Sequence, residues 1–248
     1  MKKFLIFWLM CLVGFSQTTT SFKQANTLYN SGNYKEAIGR YDAILASNQH
    51  SAELYFNLAN CYYKLNEIGP SIFYYEKALQ LAPNDFDILN NLGYAQKMTI
   101  DSIQEVPESG VSKLLNKTLN SFSVDGWAVR CVGLVFVFVA LFLGYYLSHS
   151  EAKKRLYFVS SSVVLGVLFT SLGLLFKKNR LDKSTHPAII FAKETEVKTE
   201  PNLRAETSFT LHEGTKVQVI EDYNEDWLKI KLLNGETGWM PSSELKTL

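Results

Sequence analysis

The fold is decided by residues 52–85, which read AELYFNLANCYYKLNEIGPSIFYYEKALQLAPND. Apolar and small residues in this stretch predict two helices that pack on each other. Pro83 stops the second helix, because proline cannot continue one. The stretch directly before it, residues 18–51, carries the same pattern with no gap. A period of about 34 residues indicates an array of helical repeats.

Both stretches resemble the tetratricopeptide repeat. The residues at its signature positions are Ala25, Leu28, Gly32, Tyr34, Ala37, Ile38, Tyr41 and Ile44 in the first unit and Asn57, Leu58, Ala59, Tyr62, Tyr75, Ala78 and Leu79 in the second. One departure is Gly69-Pro70 before Ser71, where the family usually has an acidic pair and then alanine. A third unit begins at Phe86 and stops near Met98. The predicted repeat region is therefore 17–100, with units 18–51 and 52–85 and a half repeat 86–98 that caps the stack.

The resemblance also implies a binding groove, because the first helix of each repeat lines a concave surface. The groove candidates are Phe22, Asn26, Tyr29, Asn30, Glu53, Phe56, Asn60, Tyr63 and Lys64. Asparagines with a lysine resemble a clamp for the C-terminal carboxylate of a peptide, although the full basic set is missing. The aromatic residues could instead complete the packing between units. A groove for an extended or helical partner segment is the third interpretation.

The N-terminus predicts a secretory signal peptide at residues 1–16. Lys2 and Lys3 precede the short apolar run Phe4 to Phe15, and small residues stand before a cut ahead of Gln17. The alternative is an anchor that is not cleaved.

Two long apolar runs, 127–147 and 156–176, predict a transmembrane hairpin, since about 20 apolar residues cross the hydrocarbon core. Before them, the linker 101–126 carries an apolar helical stripe that begins at Val111. That stripe predicts a helix in the membrane interface or one packed under the repeats. The predicted close-packing face of the second span consists of Ser162, Gly166, Thr170 and Gly173.

The charges alone leave the orientation of the hairpin open. The loop 148–155 has Lys153, Lys154 and Arg155, whereas the flank after the second span has Lys177, Lys178, Arg180 and Lys183. The signal peptide decides the prediction, since it places the repeats outside the cytoplasm. We therefore expect a two-pass protein of the inner membrane, with a cytoplasmic loop and with the repeats and the C-terminal domain in the periplasm.

From residue 188 to residue 248 the apolar period changes to two, which predicts a small, partly open barrel. Asn234-Gly235 predicts a two-residue hairpin turn. This stretch resembles bacterial SH3 domains in several separate pieces, among them Leu211-His212-Glu213-Gly214-Thr215, Asp226-Trp227-Leu228-Lys229-Ile230 and Gly238-Trp239. Similar domains bind cell-wall peptides or protein segments, so the candidate groove residues are Tyr223, Trp227 and Trp239. Trp227 alternates with the apolar residues and should point away from the core.

Composition excludes several other classes. No segment has the dense basic stripe that nucleic-acid binding requires. The three cysteines and four histidines are scattered, which predicts neither a metal site nor a bound cofactor. No phosphate-binding glycine loop or nucleophile elbow is present, and Cys61 is predicted to be a buried residue in a repeat helix. The sequence therefore predicts no catalytic residues and no enzyme.

The predicted fold class is a multidomain membrane protein with an all-α tetratricopeptide solenoid, a two-helix transmembrane hairpin and a small all-β SH3-like barrel. This order of modules resembles the BatE family of the Bacteroidetes aerotolerance (Bat) gene cluster. The resemblance implies a non-enzymatic scaffold in an envelope complex, with membrane proteins bearing von Willebrand A domains as partners besides the lipid bilayer. The alternative is a cell-wall sensor whose SH3 domain binds peptidoglycan while the repeats recruit a wall hydrolase.

Overall fold

The computed structural model describes residues 21–103 and 110–248. The predicted signal peptide lies outside the described residues. The chain forms two compact units: the repeats with the C-terminal domain, His186–Leu248, make one, and Pro107–Thr185 makes the other. The predicted fold class is confirmed, with a helical repeat region, two long apolar helices and an all-β C-terminal domain in that order.

The repeat region consists of five antiparallel helices within the described residues. They are α1 (21–30), α2 (Tyr34–Ala46), α3 (Ala52–Lys64), α4 (Ile68–Leu81) and α5 (Phe86–Gln96). The backbone conformation of the turns between the helices also repeats with this period. Gly32 follows α1 with φ at +81°, and Asn66 follows α3, at the same position of the second repeat, with φ at +60°. Each repeat therefore uses a left-handed residue to end its first helix, a conformation that glycine and asparagine tolerate best.

The second unit contains α6 (Gly110–Leu119), α7 (Val124–Leu147) and α8 (Glu151–Ser184). The helices α7 and α8 pack side by side and are both long and apolar enough to cross a membrane. The predicted packing face of the second span is wrong. Nothing lies within 4 Å of a Cβ atom built at Gly166 or Gly173, while Ser161 and Ser171 are buried. These two serines lie on a different side of the helix, where close approach to α7 is possible.

The C-terminal domain is a seven-stranded antiparallel sheet in the order β3-β2-β6-β5-β4-β1-β7. The strands are β1 (His186–Ile190), β2 (Glu194–Lys198), β3 (Thr207–His212), β4 (Lys216–Tyr223), β5 (Trp227–Lys231), β6 (Thr237–Pro241) and β7 (Leu245–Thr247), with a 3-10 turn at Ser242–Glu244. Its core includes Val197, Ile230 and Met240, which are fully buried. Leu228, Ile230 and Leu232 are buried as the alternating pattern predicts.

The hairpin at Asn234-Gly235 exists, but its connection is longer than predicted. The last register pair is Lys231 with Thr237, so the residues from Leu232 to Glu236 separate the strands. A two-residue turn of the favoured type needs positive φ at both central positions. Gly235 has φ at +96°, whereas Asn234 is not among the residues with positive φ, so the chain uses the longer loop.

The SH3-like domain docks on the repeats through apolar contacts between β1 and α4. Ile189 is fully buried in the cluster that contains Ile72 and Phe73 of the second repeat. The rings of Phe191 and Phe73 meet edge to face at 5.5 Å. A Cβ atom at Gly69 would lie 2.9 Å from the carbonyl oxygen of Ile190. The glycine that departs from the repeat pattern therefore provides the space for β1.

Polar contacts fix the register of this docking. Asp101 lies after α5, and its Oδ2 accepts hydrogen bonds from the backbone N–H of His212 at 2.7 Å and from the Thr215 hydroxyl at 2.5 Å. Its Oδ1 lies 2.7 Å from Nδ1 of His212. Lys216 adds an ion pair to Glu76 of α4, with Nζ 2.7 Å from Oε2. The repeats and the SH3-like domain thus form one folded unit.

The close approach at Gly69 gives a first prediction. Gly69→Ala should lower the free energy of unfolding of the full chain by about 1–3 kcal/mol, because the added methyl group overpacks a backbone contact. Without that contact, alanine in a helix would be favoured by up to about 1 kcal/mol. Gly39→Ala in α2 is the matched control, since nothing lies within 4 Å of its Cβ position. Thermal unfolding should show a loss of stability in Gly69→Ala and a gain in Gly39→Ala. A gain of stability in both variants would contradict the docking geometry.

Candidate functional site

The repeats contain an open pocket of about 150 Å³, lined mainly by the first helix of each unit. Its lining residues come from α1, α3, α4 and α5, and they are Tyr29, Asn60, Tyr63, Lys64, Tyr75, Asn91 and Tyr94. We call this site the repeat pocket. Pockets for small molecules measure roughly 300–1,000 Å³. The repeat pocket is smaller, and its size suits a side chain or chain terminus of a protein partner.

Asparagines join neighbouring repeats along this surface in a pattern that itself repeats. Oδ1 of Asn60 accepts from the Tyr75 hydroxyl at 2.5 Å and from Nδ2 of Asn91 at 3.2 Å. Oδ1 of Asn26 accepts from the Tyr41 hydroxyl at 2.6 Å and from Nδ2 of Asn57 at 3.2 Å. Both hydrogen bonds of Asn26 thus recur at Asn60, between residues 34 positions further along the chain. These asparagine oxygens therefore hold the stack together, while Nδ2 of Asn60 makes no hydrogen bond within the described residues.

The other groove candidates fall into two groups. Phe22 packs on Tyr41 with ring centroids 5.8 Å apart, and Phe56 packs on Tyr75 at 5.9 Å, so both complete the cores of their repeats. Asn30 and Glu53 are exposed and do not line the repeat pocket. The structure therefore brings together four of the nine candidates in this pocket, namely Tyr29, Asn60, Tyr63 and Lys64.

Sequence reasoning did not include three lining residues, Tyr75, Asn91 and Tyr94. Tyr94 occupies in the half repeat the position that Asn26 and Asn60 occupy in the first two units, so carrying the period onward would have found it. The repeat pattern predicts that Tyr75 packs between helices, and the residue also lines the pocket, since its buried ring places its hydroxyl on Asn60. The half repeat α5 is thus a wall of the pocket as well as the end of the stack.

The repeat pocket is a cationic site with neutral donors around it. Lys64 is exposed, and no ion pair or hydrogen bond reaches its ammonium group within the described residues. Burial raises the pKa of Tyr29 and of Tyr75, so both phenols stay protonated at neutral pH. The Lys64 ammonium, the Asn60 amide and the Tyr29 hydroxyl can together bind a carboxylate, whereas the Tyr75 hydroxyl already donates to Asn60.

The three candidates on the SH3-like domain share one face of the sheet. Tyr223 pairs with Trp227 across β4 and β5, and Trp239 lies opposite Lys229 on β6. We call Tyr223, Trp227, Lys229 and Trp239 the aromatic face. Trp239 is 9% exposed, because Tyr223 packs on it edge to face at 6.0 Å and Nζ of Lys229 lies 5.4 Å above it. Trp227 is half-buried and Tyr223 is 48% exposed, so these two rings form the accessible part.

The cysteine in the repeats has no reactive thiol. Cys61 is fully buried, and burial raises its pKa to about 12. A thiol with such a pKa is protonated at neutral pH, whereas nucleophilic attack requires the thiolate. No group of three or more histidines, cysteines and carboxylates that could hold a metal ion occurs in the part of the chain that the structure describes.

Comparison with known protein families identifies both modules of this unit. Residues 193–246 match the family model of the bacterial SH3 domain. Residues 52–85 and 74–105 match tetratricopeptide repeat models, and the second match includes the half repeat. Such domains are typically non-catalytic interaction modules. Together with the two apolar helices, they give the predicted architecture of repeats, membrane helices and SH3 domain.

Individual relatives match only part of this chain. The mouse sperm-associated antigen 1 is 33% identical over 89 residues, which are 36% of this chain and 9% of that protein. The cell wall-binding protein YwsB of Bacillus subtilis is 35% identical over 52 residues, which are 21% of this chain and 29% of that protein. The chain therefore spans less than a third of the length of either relative, and the similarity covers only part of each protein.

Proposed function

We propose that this protein is a non-enzymatic, membrane-anchored scaffold of an envelope complex. The repeat pocket carries this proposal, because Lys64 and the amide of Asn60 have no partner within the described residues on an otherwise well-packed surface. In the proposed complex the repeats hold a segment of a partner protein, with an acidic side chain or the carboxyl terminus next to Lys64. The setting we propose is the aerotolerance system, with membrane proteins bearing von Willebrand A domains as partners, because the order of modules resembles the BatE family.

In this proposal α7 and α8 cross the inner membrane, and the repeats and the SH3 domain face the periplasm. The docking of the two domains supports one part of it. Asp101 and His212 can meet only if the segments before α7 and after α8 lie in the same compartment, as an even number of crossings requires. The direction, periplasmic rather than cytoplasmic, rests on the N-terminal signal.

The test is capture of partners by the full chain, extracted in mild detergent. Lys64→Gln should weaken capture at least about tenfold, since a hydrogen bond to a charged group is worth about 1.5–3 kcal/mol. Tyr94→Ala should weaken it as well, and Tyr94 is 51% exposed, so its loss leaves the stack folded. Lys35→Gln is the matched control, because Lys35 is an exposed lysine on α2, away from the pocket. Equal capture by all three variants would place the partner elsewhere.

A second function is favoured by one observation, the similarity of 52 residues of this chain to a cell wall-binding protein. In this alternative the aromatic face binds peptidoglycan and the repeats recruit a wall hydrolase. The captured proteins distinguish the two functions. Proteins with von Willebrand A domains support the scaffold of the aerotolerance system, and wall hydrolases support the sensor.

A further inference from the structure

The helix α6 has an apolar face that the described residues of its own unit leave exposed. Val111 is 81% exposed and Leu114 is 67% exposed, on the same side of the helix. Lys113 and Lys117 are exposed beside them. In water such a face would be unfavourable, whereas an amphipathic helix with flanking lysines is stable at the boundary of lipid headgroups and acyl chains.

A folded corner joins this helix to α7. The indole N–H of Trp127 donates to the carbonyl oxygen of Leu119 at 3.1 Å, and Trp127 is 2% exposed. Phe122 packs edge to face on Trp127 at 5.2 Å. The chain therefore turns between α6 and α7, and α6 cannot continue α7 as one straight helix. If α7 spans the membrane, this corner places α6 at the membrane surface.

Several basic side chains lie at the end of the hairpin where α7 begins and α8 ends. The guanidinium of Arg130 lies over the rings of Phe122 and Trp127, at 5.6 and 5.3 Å from their centroids. Lys178 reaches from α8 to the side chain of Asn120 at 2.9 Å and pairs with Asp182. The other basic side chains here are exposed and have no ion pair within the described residues, namely Lys113, Lys117, Lys177, Arg180 and Lys183.

The proposed orientation in the membrane does not explain why basic residues accumulate at this end of the hairpin. Basic residues normally accumulate on the cytoplasmic side of a membrane protein. In the proposed topology these residues lie on the opposite side, where they oppose that rule. The phosphates of anionic lipids are the chemistry that unpaired lysines and arginines bind next to a bilayer, and such binding would offset this cost.

We propose that α6 and the adjoining ends of α7 and α8 form a binding site for anionic phospholipids. The apolar face of α6 enters the outer part of the acyl layer. Arg130, held by its two aromatic rings, and the exposed lysines and arginine bind the headgroup phosphate. This site rests on the proposed membrane anchoring of α7 and α8.

The experiment measures binding of phosphatidylglycerol and phosphatidylcholine to the detergent-solubilised full chain by native mass spectrometry. We expect phosphatidylglycerol to bind at least about fivefold tighter, since one basic residue near an anionic surface contributes about that factor. The triple variant Lys113→Gln, Lys117→Gln, Arg180→Gln should reduce phosphatidylglycerol to the level of phosphatidylcholine.

The loop between α7 and α8 offers a matched control with the same three charges. The triple variant Lys153→Gln, Lys154→Gln, Arg155→Gln should keep at least half of the selectivity. Equal losses of selectivity in the two triple variants would overturn the site. They would show that any positive charge on the protein attracts the anionic lipid, wherever it lies. Val111→Ser with Leu114→Ser should also lower the selectivity, and both residues are exposed, so the helices remain folded by circular dichroism. Full selectivity in this variant would overturn the role of α6.

Two further measurements separate this proposal from others. Inorganic phosphate, compared with chloride at equal ionic strength, should not compete with the lipid, and specific competition would make the site one for free phosphate. Alkaline extraction of cell membranes tests the anchor itself. Release of the chain by this treatment would overturn the membrane anchoring, whereas retention without lipid selectivity would overturn only the lipid site.

Discussion

Asp101→Ala is expected to separate the SH3 domain from the repeats. The carboxylate of Asp101 accepts from the His212 N–H and the Thr215 hydroxyl, and its other oxygen contacts His212 Nδ1. A hydrogen bond to a charged group is worth about 1.5–3 kcal/mol, and bonds that share one carboxylate are not additive. The variant should therefore lose about 3–5 kcal/mol of docking free energy, because the His212 N–H also loses its acceptor.

Trypsin cleavage after Lys97 measures this opening, because Lys97 follows α5 and the segment after it packs on the SH3 domain. When reclosing is fast, cleavage follows the population of the open form, so about 3 kcal/mol should raise the rate about a hundredfold. Asp87→Ala is the control, since Asp87 is an exposed carboxylate in the same region. An unchanged rate in Asp101→Ala would show that the apolar contacts suffice for docking.

The same carboxylate predicts the pH dependence of docking. Burial acts to raise the pKa of Asp101, but the hydrogen bonds from Thr215 and His212 outweigh it and hold the pKa below its ordinary value of 3.8. A group with a depressed pKa stabilises the docked state above the ordinary pKa and loses this effect as the pH falls through the lowered value. Opening should therefore increase below about pH 4 in the natural chain. In the Asp101→Ala variant, this increase in opening at low pH should be absent.

The second large effect concerns the two sides of β5. Ile230→Ala should destabilise the SH3 domain by about 2–5 kcal/mol, because Ile230 is fully buried and its truncation leaves a cavity. Trp227→Ala should cost clearly less, since Trp227 is half-buried on the opposite face. If the aromatic face binds the cell wall, Trp227→Ala should nevertheless abolish binding of the full chain to purified peptidoglycan.

Chemical unfolding and a peptidoglycan sedimentation assay check both effects on the same proteins. Lys231→Gln is the control for the aromatic face, because Lys231 lies on the same face of β5 and is exposed. Equal destabilisation by Trp227→Ala and Ile230→Ala would make the indole a core residue. Binding that survives in a folded Trp227→Ala variant would remove the aromatic face from the wall-binding hypothesis.

The modules could be predicted from the amino-acid sequence alone, because each depends on a local period. The repeat period gave the helices and the positions of Tyr29, Asn60 and Tyr63, and alternation placed Leu228 and Ile230 in the core of the SH3 domain. Continuation of the repeat period would have supplied Tyr94. These patterns arise from residues close in the chain, which pack within one helix pair or one hairpin. The residue type at each position is therefore enough to recognise them.

How the modules meet depends on the folded chain. In the sequence Gly69 is a departure from the repeat pattern, Asp101 is part of a linker, and Gly214 is part of a motif that resembles bacterial SH3 domains. In the folded unit Gly69 makes room for β1, Asp101 binds His212, and Gly214 packs against Ile72 and Thr99 with φ at +85°. Asp101 and His212 are far apart in the chain, with two apolar helices between them. No period links such positions, because their contact depends on the shapes of two finished surfaces rather than on the local path of the chain.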